Sequence, residues 1–342
     1  MTTDARKPHA AEFQTHAQVA MPAQAHHDAC ACLLHARRRW GTAVLASLAA
    51  PTVWAQQGAG QAARPSAAPS ATQPTWEECK RSSFTQFSSA AQIEQSATQQ
   101  YAQMLQQASG QKALGPQSHP QVQRLRYIAQ RIIPLTYGCN ERARDWKWDV
   151  NLIGSNQLNA FCMPGGKIAF YFGILAQLQL SDDEVAMIMG HEVAHALLEH
   201  ARERMGKSMA TRGAIEVGAA IFGVGGLGRA AADAGSQLLS LRFSRDDESE
   251  ADALGLVLAA NAGYDPRAGI SLWQKMMAAS KGAPPQWLST HPSGTSRIQE
   301  MQARMGRVQP MFAQAAKPDQ RFGPPAPRKP AAPAESESPR GG

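Results

Sequence analysis

The chain has 342 residues, enough for one sizeable domain or two small ones. Charged residues are sparse at 18%, and the formal net charge is +7. That mild basic excess comes with no dense Lys/Arg run and no interleaving of aromatic and basic residues, which argues against a nucleic-acid partner.

Residues 1–35 are polar, rich in Ala and His, and without period. They hold five of the ten histidines (His9, His16, His26, His27, His35) and read as a disordered leader. Arg37-Arg38-Arg39 then precedes WGTAVLASLAAPTVWA, a basic n-region, a short apolar h-region and a V-x-A site ending at Ala55. The apolar run is short for a membrane span. The expectation is a secretory signal peptide cleaved near Ala55 and a periplasmic mature chain, with an uncleaved anchor in the inner membrane as the alternative. Translation from Met21 would shorten the long leader, and the paired arginines admit a twin-arginine route. Cys30 and Cys32 leave with the signal. Of the remaining Cys79, Cys139 and Cys162, the first two are a candidate disulfide in an oxidising compartment, with Cys162 the odd thiol.

Residues 56–75 are an Ala/Pro/Gln/Ser-rich linker, and the Pro-rich stretch 313–342 reads as a disordered tail, leaving 76–312 as the folded domain. Within it, 84–108 reads as an amphipathic helix, and a second helix starts at Pro120 and ends at Pro134. WKWDVNLI (146–153), LNAFCM (158–163) and KIAFYF (167–172) read as strands, the last two joined by a tight turn at Pro164-Gly165-Gly166. The fold class is therefore α+β, mainly α, with a small antiparallel sheet. An exposed edge of that sheet is either a rail on which a peptide adds as an extra strand or only a cover for the core.

SDDEVAMIMGHEVAHALLEHARERM (181–205) reads as one helix with a Ser181–Glu184 capping box. His191 and His195 are four apart, so their imidazoles leave one face a turn apart. This suits two nitrogens on one zinc ion with Glu192 beside them to handle water, although two ordinary histidines on a helix share the spacing. The Gly-rich run 214–228 is a lid, a closely packed segment or a membrane-surface segment. SRDDESEADALGLVLAANAG starts a further helix, capped by Ser244 and Asp247 and closed by Gly263. Glu248 and Asp252 share a face while Glu250 points elsewhere. A carboxylate there would complete a two-His, one-Glu site, and Asp252 would accept from a ligand imidazole. An acidic first turn favoured by the helix dipole explains the same pattern. A helix from Pro266 to about Lys281, a loop holding His291, and a last short helix with Ile298, Met301 and Met305 inward complete the domain.

HEVAH, ESEAD (248–252), NAFCMPGGKIAFYFGIL and STHPSGTSRI together resemble the HtpX and CAAX-prenyl-protease family of gluzincin metallopeptidases, in particular its secreted bacterial and mitochondrial Oma-type members. The resemblance spans about 85–307. It implies a gluzincin-type domain and a zinc-dependent endopeptidase acting on unfolded or misassembled cell-envelope proteins, with a zinc-bearing periplasmic chaperone of latent activity as the alternative. It implies one zinc ion on His191, His195 and Glu248, with Glu192 as general base. Asp252 and Arg297 support the ligands, and His291 acts either as oxyanion stabiliser or as a reversible fourth ligand. The hairpin likeness makes Lys167, Ile168 and Ala169 the candidate substrate-binding residues. Many members carry transmembrane helices or a lipid anchor. This chain shows neither after Ala55, nor tetratricopeptide repeats, so peripheral membrane association is the expectation for the mature chain, beside the uncleaved anchor as alternative.

Overall fold

The computed structural model describes residues 77–221, 238, 241–280, 285–292 and 295–326. The leader, the signal peptide, the linker, residues 222–228 of the Gly-rich run and the end of the tail lie outside these residues.

Helix α1 (Ala90–Gly110) follows a 3-10 turn at Ser83–Phe87, and the Ser89 hydroxyl accepts from the Gln92 amide at its start. Helix α2 (Pro120–Ile132) opens on a proline, whose missing N–H costs nothing there, and buries Val122, Leu125, Ile128, Ala129 and Ile132. Strands β1 (Asp149–Ile153), β2 (Ala160–Met163) and β3 (Lys167–Tyr171) follow. They form one sheet in the order β1-β3-β2. The sheet is mixed, a correction to the antiparallel reading: β2 and β3 form the expected hairpin, but β1 pairs with β3 in parallel. Leu114 bridges Ile153 on the other side of β1, and the hairpin folds β3 back between β1 and β2. Gly165 and Gly166 take φ of 83° and 75° in that turn, which a side chain would resist. Ile168 and Phe170 face the main core, while Ala169 packs with Phe161, Met163 and Tyr101 under α1. The sheet is buried on both faces.

A short α3 (Phe172–Gln177) leads to α4 (Asp182–Leu197), whose Ser181–Glu184 capping box forms as expected. The long helix expected over 181–205 does not continue. Glu199 takes a left-handed φ of 60°, and α5 (His200–Ile221) starts afresh. Helix α6 (Arg245–Asn261) carries the Ser244–Asp247 capping box and stops before Gly263, at φ 84°. Helices α4 and α6 touch backbone to backbone. A Cβ on Gly190 would lie 2.8 Å from the Gly255 carbonyl, and one on Gly255 would lie 2.9 Å from the His191 nitrogen. Only glycines allow this approach, and it sets the distance between the carboxylates of α6 and the imidazoles of α4.

Helix α7 (Ala268–Ala279) is followed by α8 (Gln286–Thr290), a short helix inside the expected loop. Helix α9 (Thr295–Gln314) is 20 residues long rather than short. The first part of the expected tail, residues 313–326, belongs to the described structure. Residues 315–326 run over α4 and α2, because buried groups there take up the tail's backbone. The Asp182 carboxylate accepts from the Phe322 and Gly323 amides at 2.7 and 3.1 Å and from Arg124 Nε at 2.6 Å. Cys79 and Cys139, 60 residues apart, form the disulfide, and Cys162 is free and buried.

Candidate metal centre

Helix α4 presents His191 and His195 on one face, α6 presents Glu248, and the segment after α8 presents His291. All four are buried. His191 Nε2 lies 3.1 Å from His195 Nε2 and 3.2 Å from His291 Nδ1. Glu248 oxygens lie 3.5 Å from each of the first two nitrogens and 3.0 Å from the third. A tetrahedral ion with bonds of about 2.0–2.1 Å has donor–donor edges of about 3.3 Å, so these separations fit its first sphere. The donor chemistry agrees. His191 Nδ1 faces Asp252 at 2.9 Å and His195 Nδ1 faces His200 at 2.8 Å. With a proton on each Nδ1, both Nε2 lone pairs aim at one point beside a carboxylate, and a cation there would relieve their repulsion.

Electrostatics prepares the same state. Burial holds the His195 imidazole well below its usual pKa, and therefore neutral, against the opposing pull of Glu248. Burial alone would raise the Glu248 carboxyl, but His291, the strongest opposing influence, holds it far below the usual carboxylate range. Asp252 is likewise depressed despite its burial, chiefly by Arg297 and then by His191. Arg297 binds both Asp252 oxygens at 2.6 Å and Glu248 at 2.5 Å, with its guanidinium 3.9 Å from the centre of the Trp273 ring.

Glu192 leaves α4 beside the cluster. Its carboxylate accepts from the Trp287 indole at 2.6 Å and lies 3.5 Å from His291 Nε2. Trp287 in turn stacks on His291, at 4.9 Å between ring centres. A cleft opens here, bordered by β2, Glu192, His195, Phe243 and His291. This placement corrects one expectation. Lys167, Ile168 and Ala169 lie on β3, the central strand, whose two edges are taken by β1 and β2, so they have no free edge for a peptide. The strand on the cleft is β2, and among the described residues no strand pairs with its outer edge.

The structure thus brings His191, Glu192, His195, Glu248, Asp252, His291 and Arg297 together and leaves the three β3 residues out. Sequence reasoning missed Trp287, Phe243 (stacked on His195 at 4.0 Å) and His200. It also missed Gly190 and Gly255, for which the signal was present: glycines in helix interiors signal close approach.

The family model described as peptidase family M48 matches residues 119–305, more than half of the chain. The chain is 32% identical over 197 residues to the mitochondrial metalloendopeptidase OMA1 of Schizosaccharomyces pombe, covering 57% of this chain and 56% of that one. It is 27% identical over 206 residues to the metalloprotease LoiP of Escherichia coli, covering 59% and 78%. It is also 27% identical over 169 residues to the beta-barrel assembly-enhancing protease of Yersinia pestis, covering 46% and 35%. The chain spans about half the length of the mitochondrial relative.

Proposed function

Since the chain belongs to peptidase family M48, we propose that it is a zinc metalloendopeptidase that cleaves unfolded or misassembled cell-envelope proteins. The observation that carries this reading is the convergence of His191, His195 and Glu248 on one point with Glu192 alongside. Their nitrogen and carboxylate donors at tetrahedral spacing favour zinc over harder or octahedral ions. His191, His195 and Glu248 would hold the zinc, which would supply acidification of a water and polarisation of a scissile carbonyl.

The protein's own groups supply the rest. Glu192, fixed by the Trp287 indole, takes the proton of the attacking water and passes it to the leaving amine. Asp252 and Arg297 hold His191 in its ligand orientation. An extended peptide pairs with the outer edge of β2, which sets its carbonyl at a fixed height over the site. Chelation is the direct test. Metal removal abolishes casein cleavage and one equivalent of zinc restores it, whereas full cleavage by metal-free protein would end the proposal.

His291 supports a latent resting state, because its Nδ1 lies 3.2 Å from His191 Nε2 and 3.0 Å from Glu248, among the donors that would hold the ion and in the space a water would have to enter. His291→Ala is expected to raise peptide cleavage about tenfold by removing the cost of opening. A loss of about 10²–10³-fold would instead assign His291 to oxyanion stabilisation. The absence of cleavage in both proteins would favour the zinc-bearing chaperone.

The leader pattern at 37–55 and the Cys79–Cys139 disulfide support export to the periplasm. Among the described residues no helix is long and apolar enough to cross a membrane.

A further inference from the structure

His195 has a partner that a continuous helix would not supply. Its Nδ1 lies 2.8 Å from His200 Nδ1, and His200 Nε2 lies 3.2 Å from the Glu250 carboxylate. Both histidines are buried, while the Glu250 side chain is 56% exposed. Side chains five apart on an unbroken helix point about 140° away from each other. The left-handed Glu199 breaks that geometry and swings His200 back against His195. A non-glycine residue in this region is strained. Arg202 offsets the strain by pairing with the Glu199 carboxylate at 2.6 Å while also donating to the Ser88 carbonyl at 2.7 Å. Glu203 and Asp247 also stand near His200, but they pair with Lys207 and Arg204, which leaves Glu250 as the carboxylate on Nε2.

One proton arrangement satisfies this chain. His195 offers its Nε2 lone pair to the cluster, so its Nδ1 carries the proton and donates it to His200 Nδ1. His200 then keeps its own proton on Nε2 and donates it to Glu250. We propose that His200 and Glu250 are positioning residues that lock His195 in its metal-binding tautomer and orientation, so that a surface carboxylate on α6 tunes metal affinity. The inference rests on the reading of His191, His195 and Glu248 as the metal site. The two ligand histidines are thereby held differently. His191 is held by a buried Asp252–Arg297 pair, and His195 by a neutral ring that leads to solvent.

The test measures zinc affinity by competition with a chromophoric chelator, on the Glu192→Gln background so that no cleavage intrudes. Asparagine at 200 places its Oδ1 close to where Nδ1 stood and still accepts from His195, whereas leucine fills similar space and cannot. His200→Leu is expected to weaken zinc binding about 10–100-fold, and His200→Asn less than about threefold. Glu250→Ala weakens binding in the parent but adds nothing to His200→Leu, because both act through one chain. Equal losses in the Leu and Asn variants would mean that His200 only packs. No loss in either would likewise overturn the proposal. A parent that binds no zinc would remove the site itself, and this inference with it.

Discussion

Glu192→Gln is expected to keep zinc bound and to lower casein or peptide cleavage by about 10²–10⁴-fold, the usual worth of a positioned general base. The change is nearly isosteric. A glutamine oxygen can still accept from the Trp287 indole, so the cleft keeps its shape, but the amide cannot take a proton from water. The loss should fall on kcat with KM little changed, because Glu192 acts on the water rather than on the peptide. Initial rates paired with zinc analysis of the same samples decide the matter. Equal cleavage by both proteins would remove Glu192 from the mechanism. Comparing envelope fractions exposed to the active protein and to this variant would then name the substrates.

The second large effect is on stability. Arg297→Met removes the guanidinium that binds Asp252 twice and Glu248 once in an interior where all three are buried. Two buried carboxylates lose their guanidinium partner, at a cost of about 3–5 kcal/mol, or roughly 6–20 °C in melting temperature for a domain of this size. Arg297→Lys should recover only part, since a single ammonium cannot span both partners. The pH dependence has a definite sign. Asp252 has its folded pKa depressed, so its contribution is fully present above the unfolded value of about 3.9 and is lost as pH falls through the folded value. The gap between parent and Arg297→Met should therefore narrow on the acid side of about pH 4. Calorimetry of the metal-free proteins measures it, and a gap that widened there would contradict the assignment.

Much of the site was legible because its signals are local. The i, i+4 spacing of His191 and His195, the capping boxes at Ser181 and Ser244, and the shared face of Glu248 and Asp252 all follow from helical geometry over a few residues. The motifs that resemble the metallopeptidase family lie within the matched region. Contacts between distant segments were not legible. Nothing local says that Arg297 crosses to both carboxylates, or that Trp287 donates to Glu192 across 95 residues. The tail misled for the same reason. Its composition is that of a linker, but the hydrogen-bond partners of Phe322 and Gly323, within its described part, lie on α4 and α2.

What the sequence determined by itself is the chemistry on offer: two imidazoles and a carboxylate on one helix, further acids on another, and a histidine in a loop. Helical period imposes that much wherever the helices lie. The tertiary structure decided which groups meet. The glycine contact of Gly190 with Gly255 brings α6 within ligand distance of α4, because side chains there would hold the axes apart. The order β1-β3-β2 buries Lys167, Ile168 and Ala169 at the sheet centre and turns β2 to the cleft, because a strand paired on both sides has no edge to offer. The left-handed turn at Glu199 ends the HEVAH helix early and sets His200 behind His195, a pairing that helical period alone forbids.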